Sequence, residues 1–209
     1  MKRVLCFGDS NTYGYSPFDG TRFPKEVRWS GILADRFSKD DVQVIEEGLV
    51  GRTTVFEDSV RVGRKGTDFL LPLIESHYPI DTLVLMLGTN DCKTIYKASP
   101  YIIGRGIEIL IQQVKDFNSN IKILLVSPIF LGDRVWEDGF DPEFNEEAVE
   151  KSHKLKDVYK DIANKYGCSF LAASDYAYPS EADQEHMNEE GHRALSNAIY
   201  EKLINEKRG

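Results

Sequence analysis

Five short runs, 4–7, 42–45, 83–87, 121–126 and 168–172, are apolar at nearly every position and rich in β-branched residues. A run without polar alternation suits a strand covered on both faces, as in a parallel sheet. Between these runs the apolar positions recur at helical spacing. Trp29, Leu33 and Phe37 repeat at i, i+4, as do Leu70 and Ile74 with Leu73 beside them. Ile103, Ile107, Leu110, Ile111, Val114 and Phe117 form a longer stripe. Asp141 followed by Pro142 predicts an N-cap and a first helical residue. That helix presents Ala148, Leu155, Val158, Tyr159, Ile162 and Tyr166 inward and stops at Gly167. A last helix is predicted from Asn188, where Glu189 and Glu190 favour its positive end and Leu195, Ala198, Ile199 and Leu203 face inward. Strands alternating with helices predict right-handed crossovers and an α/β fold, a three-layer α/β/α sandwich.

Two segments escape this pattern. One, 13–29, carries Tyr13, Tyr15, Phe18, Phe23 and Trp29; the other, 130–144, carries Trp136, Phe140 and Phe144 among Asp133, Asp138 and Asp141. Both follow the carboxyl ends of strands, where open α/β sheets bind ligands. Loops of this length are usually functional or form an interface. Their aromatics either wall a short acyl or aryl pocket or make the contact of a homo-oligomer.

Composition narrows the classes. With 209 residues, 41% of them hydrophobic, and no repeat or linker, the chain is expected to form one domain over 1–209. The net charge is −8 and no basic stripe interrupts it, which argues against nucleic acid or an anionic membrane as partner. The longest apolar run, 83–87, falls far short of the roughly 20 residues of a membrane-spanning helix. The opening MKRVLCFG has too few apolar residues for a cleavable signal. Cys6, Cys92 and Cys168 are odd in number and lack a CxxC spacing, so a reduced, cytoplasmic protein without disulfides is expected.

Candidate chemistry gathers after the strands. The first runs into GDSNTYG, presenting Ser10 at the sheet edge. The second ends in EEGLVGRTT, where Gly51 offers a backbone N–H, and the third in GTND, where Asn90 offers a carboxamide. A hydroxyl with two such donors is the inventory of a nucleophile and an oxyanion hole, although each residue alone is also an ordinary turn former. GDSNTYG is neither GxSxG, a phosphate loop nor GxGxxG, so no cofactor is expected. A base must come from His77, His153, His186 or His192. His77 and His153 fall on helices remote from the strand ends. Asp183 precedes His186 by three residues in a non-helical stretch, where the carboxylate can fold back to hold Nδ1–H and leave Nε2 for a serine. His192 lies on the buried stripe of the last helix and reads as a packing residue. A metal held by Asp183, His186 and His192 is disfavoured, because the His-x5-His spacing does not put both rings on one helical face. Cys92 reads as a buried thiol.

GDSNTYG, Gly51, GTND and the Asp183-Gln-Glu-His186 stretch, in this order, resemble four blocks of the SGNH, or GDSL, hydrolases. RWSGIL at 28–33 and EEGLVGRTT at 46–54 resemble the bacterial arylesterase and acyl-transferring branch. The resemblance implies a flavodoxin-like parallel sheet of order 2-1-3-4-5. It makes Ser10 the nucleophile, His186 the base and Asp183 its orienting carboxylate. Ser10 and Gly51 backbone N–H groups with the Asn90 amide form the oxyanion hole. Asn11 stands where the family commonly has leucine. The expected function is hydrolysis of small short-chain acyl or aryl esters through an acyl-serine, with acyl transfer as a side activity. O-deacetylation of carbohydrate by the same residues is a second reading, and a non-enzymatic flavodoxin-like binding module a third.

Overall fold

The five apolar runs are strands in the computed structural model, which describes residues 1–38 and 40–205. They are β1 (Lys2–Gly8), β2 (Val42–Gly48), β3 (Thr82–Met86), β4 (Lys122–Ser127) and β5 (Ser169–Ala172). All pair in parallel in the order β2-β1-β3-β4-β5. The short α1 (Ser10–Tyr13) and then α2 (Trp29–Arg36) follow β1. Next come α3 (Gly66–Ser76), α4 (Pro100–Phe117), α5 (Glu146–Tyr166) and α6 (Glu189–Asn205), one after each later strand.

Alternation along the strands splits the core in two. Leu5, Phe7, Leu83, Leu85 and Leu125 pack on one face with Leu70 of α3, Ile107 of α4 and Leu155 of α5. Val4, Cys6, Val84, Met86 and Val126 pack on the other with Trp29 and Leu33 of α2 and Leu195 and Ile199 of α6. The result is the flavodoxin-like three-layer sandwich. Trp29 is fully buried, so its truncation to alanine costs about 3–5 kcal/mol.

Three expectations need correction. The helix after β4 starts at Glu146 and not at Asp141-Pro142; its N-cap is Asn145, whose side chain accepts from the Ala148 N–H. Asp141 instead makes a turn, accepting the Glu143 N–H at 2.9 Å on its side chain. Cover on both faces fails for β2, an edge strand paired only with β1 and half-buried along most of its length. Phe117 at the end of α4 is exposed, edge-on to Tyr78 rather than in the core. Among the described residues no helix is long and apolar enough to cross a membrane.

The order of the sheet fixes where a site can form. Chain direction reverses its progress across the sheet between β1 and β3, and the crevice at such a switch point lies beyond the carboxyl ends of both strands. Ser10 follows β1, Gly51 follows β2 and Asn90 follows β3.

Candidate active site

At the end of β1, Gly8 lies so close to its neighbours that a Cβ there would sit 2.6 Å from the Met86 carbonyl oxygen and closer still to Thr12. The absence of a side chain lets the chain turn at once into α1. Asp9 caps that helix, accepting the Asn11 N–H at 3.0 Å. Ser10 is its first residue, buried, with an amide that has no acceptor within the helix.

The histidine approaches from the segment before α6. Asp183 Oδ1 accepts the backbone N–H groups of Glu185 and His186, both at 3.0 Å, which folds the segment into a tight turn. Its Oδ2 takes His186 Nδ1 at 2.7 Å, and His186 Nε2 lies 2.8 Å from Ser10 Oγ. A carboxylate, an imidazole and a hydroxyl thus form one hydrogen-bonded chain. The carboxylate selects the tautomer with the proton on Nδ1 and leaves Nε2 able to accept from the hydroxyl. The Tyr15 ring packs on the imidazole, centroids 4.4 Å apart.

Charge around the histidine favours its protonated form. Burial works to lower the His186 pKa, but the nearby carboxylates of Glu185, Asp183 and Asp9 outweigh it and leave it raised. Asp9 itself is pushed up to about 7, chiefly by burial.

The donors are tied to Ser10 through a second network. Arg52 Nη1 donates to the Gly8 carbonyl at 2.9 Å and its guanidinium lies over the Phe7 ring. Asn90 Nδ2 donates to the Arg52 carbonyl at 3.1 Å, keeping a second amide hydrogen free for a ligand. Asp91 is buried and accepts the Thr54 N–H on both oxygens at 3.0 and 3.1 Å, pinning the Gly51 loop to the GTND turn. Gly51 has φ +80°, in the left-handed region that favours glycine, and its N–H donates to no acceptor among the described residues.

The first long loop is anchored by the two segments that suggested an arylesterase branch. Arg28 grips Glu46 with Nε at 2.6 Å and Nη2 at 2.8 Å. Burial disfavours the Glu46 charge, but the hydrogen bonds from Arg28 and Ser30 prevail and lower its pKa. This fork holds the 14–28 loop against β2 and so presents Tyr15 to His186.

The remaining sequence candidates fall outside the chain of hydrogen bonds. His77 pairs with Glu47 at 2.8 Å, and His153 packs on Phe130. His192 is fully buried on α6, its Nδ1 accepting the Trp29 N–H at 3.3 Å, and burial pushes its imidazole down to about 3. That is the packing role expected of it. Cys92 is buried, which pushes its thiol far up and leaves it inert. Among the aromatics, Tyr15 reaches the site. Phe144 is core, Phe23 packs on His192, and Phe18 and Trp136 are exposed.

Sequence reasoning missed Asn11 and Glu185 as parts of the site and offered Tyr15 only as one of several loop aromatics. Asn11 Oδ1 accepts the Met187 N–H at 3.0 Å and its amide donates to the Glu185 carbonyl at 3.4 Å. Glu185 Oε1 lies 3.8 Å from His186 Nε2. The one signal available for Asn11 and Glu185 was adjacency, since they directly flank Ser10 and His186.

A profile of the GDSL-like lipase/acylhydrolase family matches residues 6–194. Among solved structures, a carbohydrate acetylesterase from Sinorhizobium meliloti is 34% identical, covering 98% of this chain and 99% of that one, at a TM-score of 0.90. The native aryl esterase of M. smegmatis is 33% identical, covering 98% and 99%, at a TM-score of 0.85. No curated protein matches the chain. The chain belongs to the GDSL-like lipase/acylhydrolase family and is a carboxylic ester hydrolase.

Proposed function

We propose that this GDSL-like hydrolase cleaves small carboxylic esters through an acyl-serine, with Ser10 as nucleophile, His186 as base and Asp183 orienting it. The observation that carries the reading is the unbroken chain from Asp183 Oδ2 through His186 to Ser10 Oγ, at 2.7 and 2.8 Å. His186 Nε2 takes the Ser10 proton as Oγ attacks the ester carbonyl. The negative charge that collects on the carbonyl oxygen is met by the Ser10 and Gly51 N–H groups and the free hydrogen of the Asn90 amide. Collapse expels the alcohol with the proton from His186, and water then repeats the sequence to release the acid. A second alcohol in place of that water would carry the acyl group away instead.

The acyl group is short. Tyr15 is the aromatic that touches His186; Phe23, Trp29 and Phe144 are in the core, Phe18 and Trp136 on the surface, and Tyr13 and Phe140 half-buried against Arg22 and Arg134. The neighbouring charges of Glu185, Lys93 and Arg61 favour a polar alcohol, so O-deacetylation of small carbohydrates is the second reading. The S. meliloti neighbour carries that activity in its name. One domain over 1–209 and a cytoplasmic location complete the proposal, the latter supported by three free cysteines.

A panel of nitrophenyl esters of rising acyl length, run beside acetylated sugars, tests it. The expected result is turnover that is highest for acetyl or butyryl esters and is abolished in Ser10→Ala, with labelling by a serine-directed phosphonate lost in the same variant. Full turnover by Ser10→Ala overturns the assignment.

A further inference from the structure

We propose that Glu185 is a receptor for a hydroxyl on the alcohol half of the ester, so that the enzyme selects esters of polyhydroxy alcohols. The inference rests on the acyl-serine reading above and adds a subsite to it.

Glu185 retains 7% of its surface, yet its carboxylate takes no hydrogen bond from any described residue. Neither carboxyl oxygen is among the fully enclosed atoms without a partner, so the carboxyl opens on the crevice beside His186, where a hydrogen-bond donor arrives with a ligand. The side chain stands on a fixed base. Its backbone N–H is held by Asp183 Oδ1 at 3.0 Å, and its carbonyl accepts from the Asn11 amide at 3.4 Å. The carboxyl is therefore built into the same turn that sets His186.

Its position identifies which half of the substrate it meets. When His186 Nε2 returns its proton, the alcohol oxygen lies at hydrogen-bond distance from that nitrogen, about 2.8–3.0 Å. Glu185 Oε1 is 3.8 Å from the same nitrogen. A hydroxyl on the second carbon from the ester oxygen falls within its reach, whereas the carbonyl oxygen is directed toward the oxyanion donors. A methyl group at that point would bury the carboxyl still further and give it no donor.

The chemistry favours a neutral hydroxyl over a cationic group. Lys93, buried and paired with Glu143 at its ammonium, already lies in the field of Glu185. Burial also raises the Glu185 pKa, against the opposing pull of His186 and Lys93. A carboxylate suits a hydroxyl partner, from which it accepts a hydrogen bond without a further charge entering the site.

Two acetates of equal size separate the proposal from its alternatives: 2-hydroxyethyl acetate and propyl acetate, which differ by a hydroxyl in place of a methyl group. The readout is the ratio of their kcat/KM values within one preparation, which is independent of the fraction folded. In the native protein the hydroxylated ester is expected to lead by about 10-fold or more, the scale set by one charge-assisted hydrogen bond. Glu185→Gln keeps an acceptor and an intermediate ratio, and Glu185→Val brings the ratio to one or below. The same ratio in the native protein and in Glu185→Val overturns the inference while leaving the esterase reading intact. Failure of the native protein to turn over both acetates and nitrophenyl acetate instead removes the reading on which the inference rests.

Discussion

Asn11 Oδ1 accepts the backbone N–H of Met187 at 3.0 Å, so the residue after Ser10 holds the residue after His186. Its amide donates to the carbonyl of Glu185 on the other side of the histidine. One side chain thereby clamps both backbone neighbours of the proposed base against the turn that carries the proposed nucleophile. This is a positioning role, and it depends on a side chain with both a donor and an acceptor.

Asn11→Leu keeps a similar volume and removes both bonds, leaving a buried N–H and C=O at about 1–3 kcal/mol each. With the imidazole no longer held to its place, kcat for nitrophenyl acetate is expected to fall about 10–100-fold. KM should change far less, because the clamp touches no part of the substrate. Asn11→Asp retains the acceptor for Met187 and should recover part of the loss. Steady-state kinetics of the two variants check this, and equal kcat in Asn11→Leu and the native chain counts against the clamp.

Asn90→Ala removes the side-chain donor proposed for the oxyanion while Ser10 and His186 stay in place. Acylation by nitrophenyl acetate, followed in a single turnover, should slow by about 10²–10³-fold. A slowing below about 3-fold would remove Asn90 from the oxyanion hole, since even a weak donor there exceeds it.

The raised pKa of His186 sets the acid limb of the pH profile. A base must be neutral to accept a proton, so kcat/KM rises as His186 deprotonates. The midpoint is expected above 6.5, the ordinary histidine value, because the surrounding carboxylates outweigh burial. Glu185→Gln takes away the first of those raising charges and should move the midpoint to lower pH. A native midpoint at or below 6.5 contradicts the charge balance around His186.

Asp9 links the site to stability. Burial raises its pKa from 3.8 to about 7, and its Oδ2 has no hydrogen-bond partner. The folded state therefore holds the proton more tightly than the unfolded chain. The stability this contributes is complete below 3.8 and is lost as pH rises through about 7. Asp9→Asn can keep the cap on the Asn11 N–H and has no charge to bury. Its Tm should exceed the native value at pH ~8, by the equivalent of a few kcal/mol, and match it near pH ~4. Thermal unfolding at the two pH values decides it.

Gly51→Ala places a Cβ 3.0 Å from the Arg61 guanidinium at a φ of +80°. The left-handed conformation costs a non-glycine residue about 1–2 kcal/mol, and relief of that strain would turn the Gly51 N–H away from the site. Both Tm and kcat are expected to fall, by calorimetry and ester hydrolysis respectively.

Much of this was legible from one end of the chain to the other. The runs 4–7, 83–87 and 121–126 became strands because an apolar run admits few arrangements other than burial on both faces. The Asp183–His186 pair was readable because three residues of turn suffice to bring a carboxylate onto an imidazole, a local matter of reach. The Asp141-Pro142 helix start failed for the opposite reason. Asp141 and Asn145 are both good caps, and the choice fell to Asn145, beside which Phe144 is buried in the core. The aromatics of the loops could not be sorted from their types alone. Tyr15 reached His186 because Arg28 and Glu46, from different elements, anchor its loop.

The sequence by itself determined the strands, most of the helices, and the residues at the strand ends that could do ester chemistry, because periodicity and turn chemistry act over a few residues. The tertiary structure alone decided what those residues face. Ser10 and His186 are separated by 176 positions and meet through a hydrogen bond of 2.8 Å. The Asn11 clamp, the Asp91 tie between loops and the approach of the Glu185 carboxyl to the site arise in the same way. Their partners lie on loops brought together by packing the sheet, and that packing is a property of the whole core rather than of any segment.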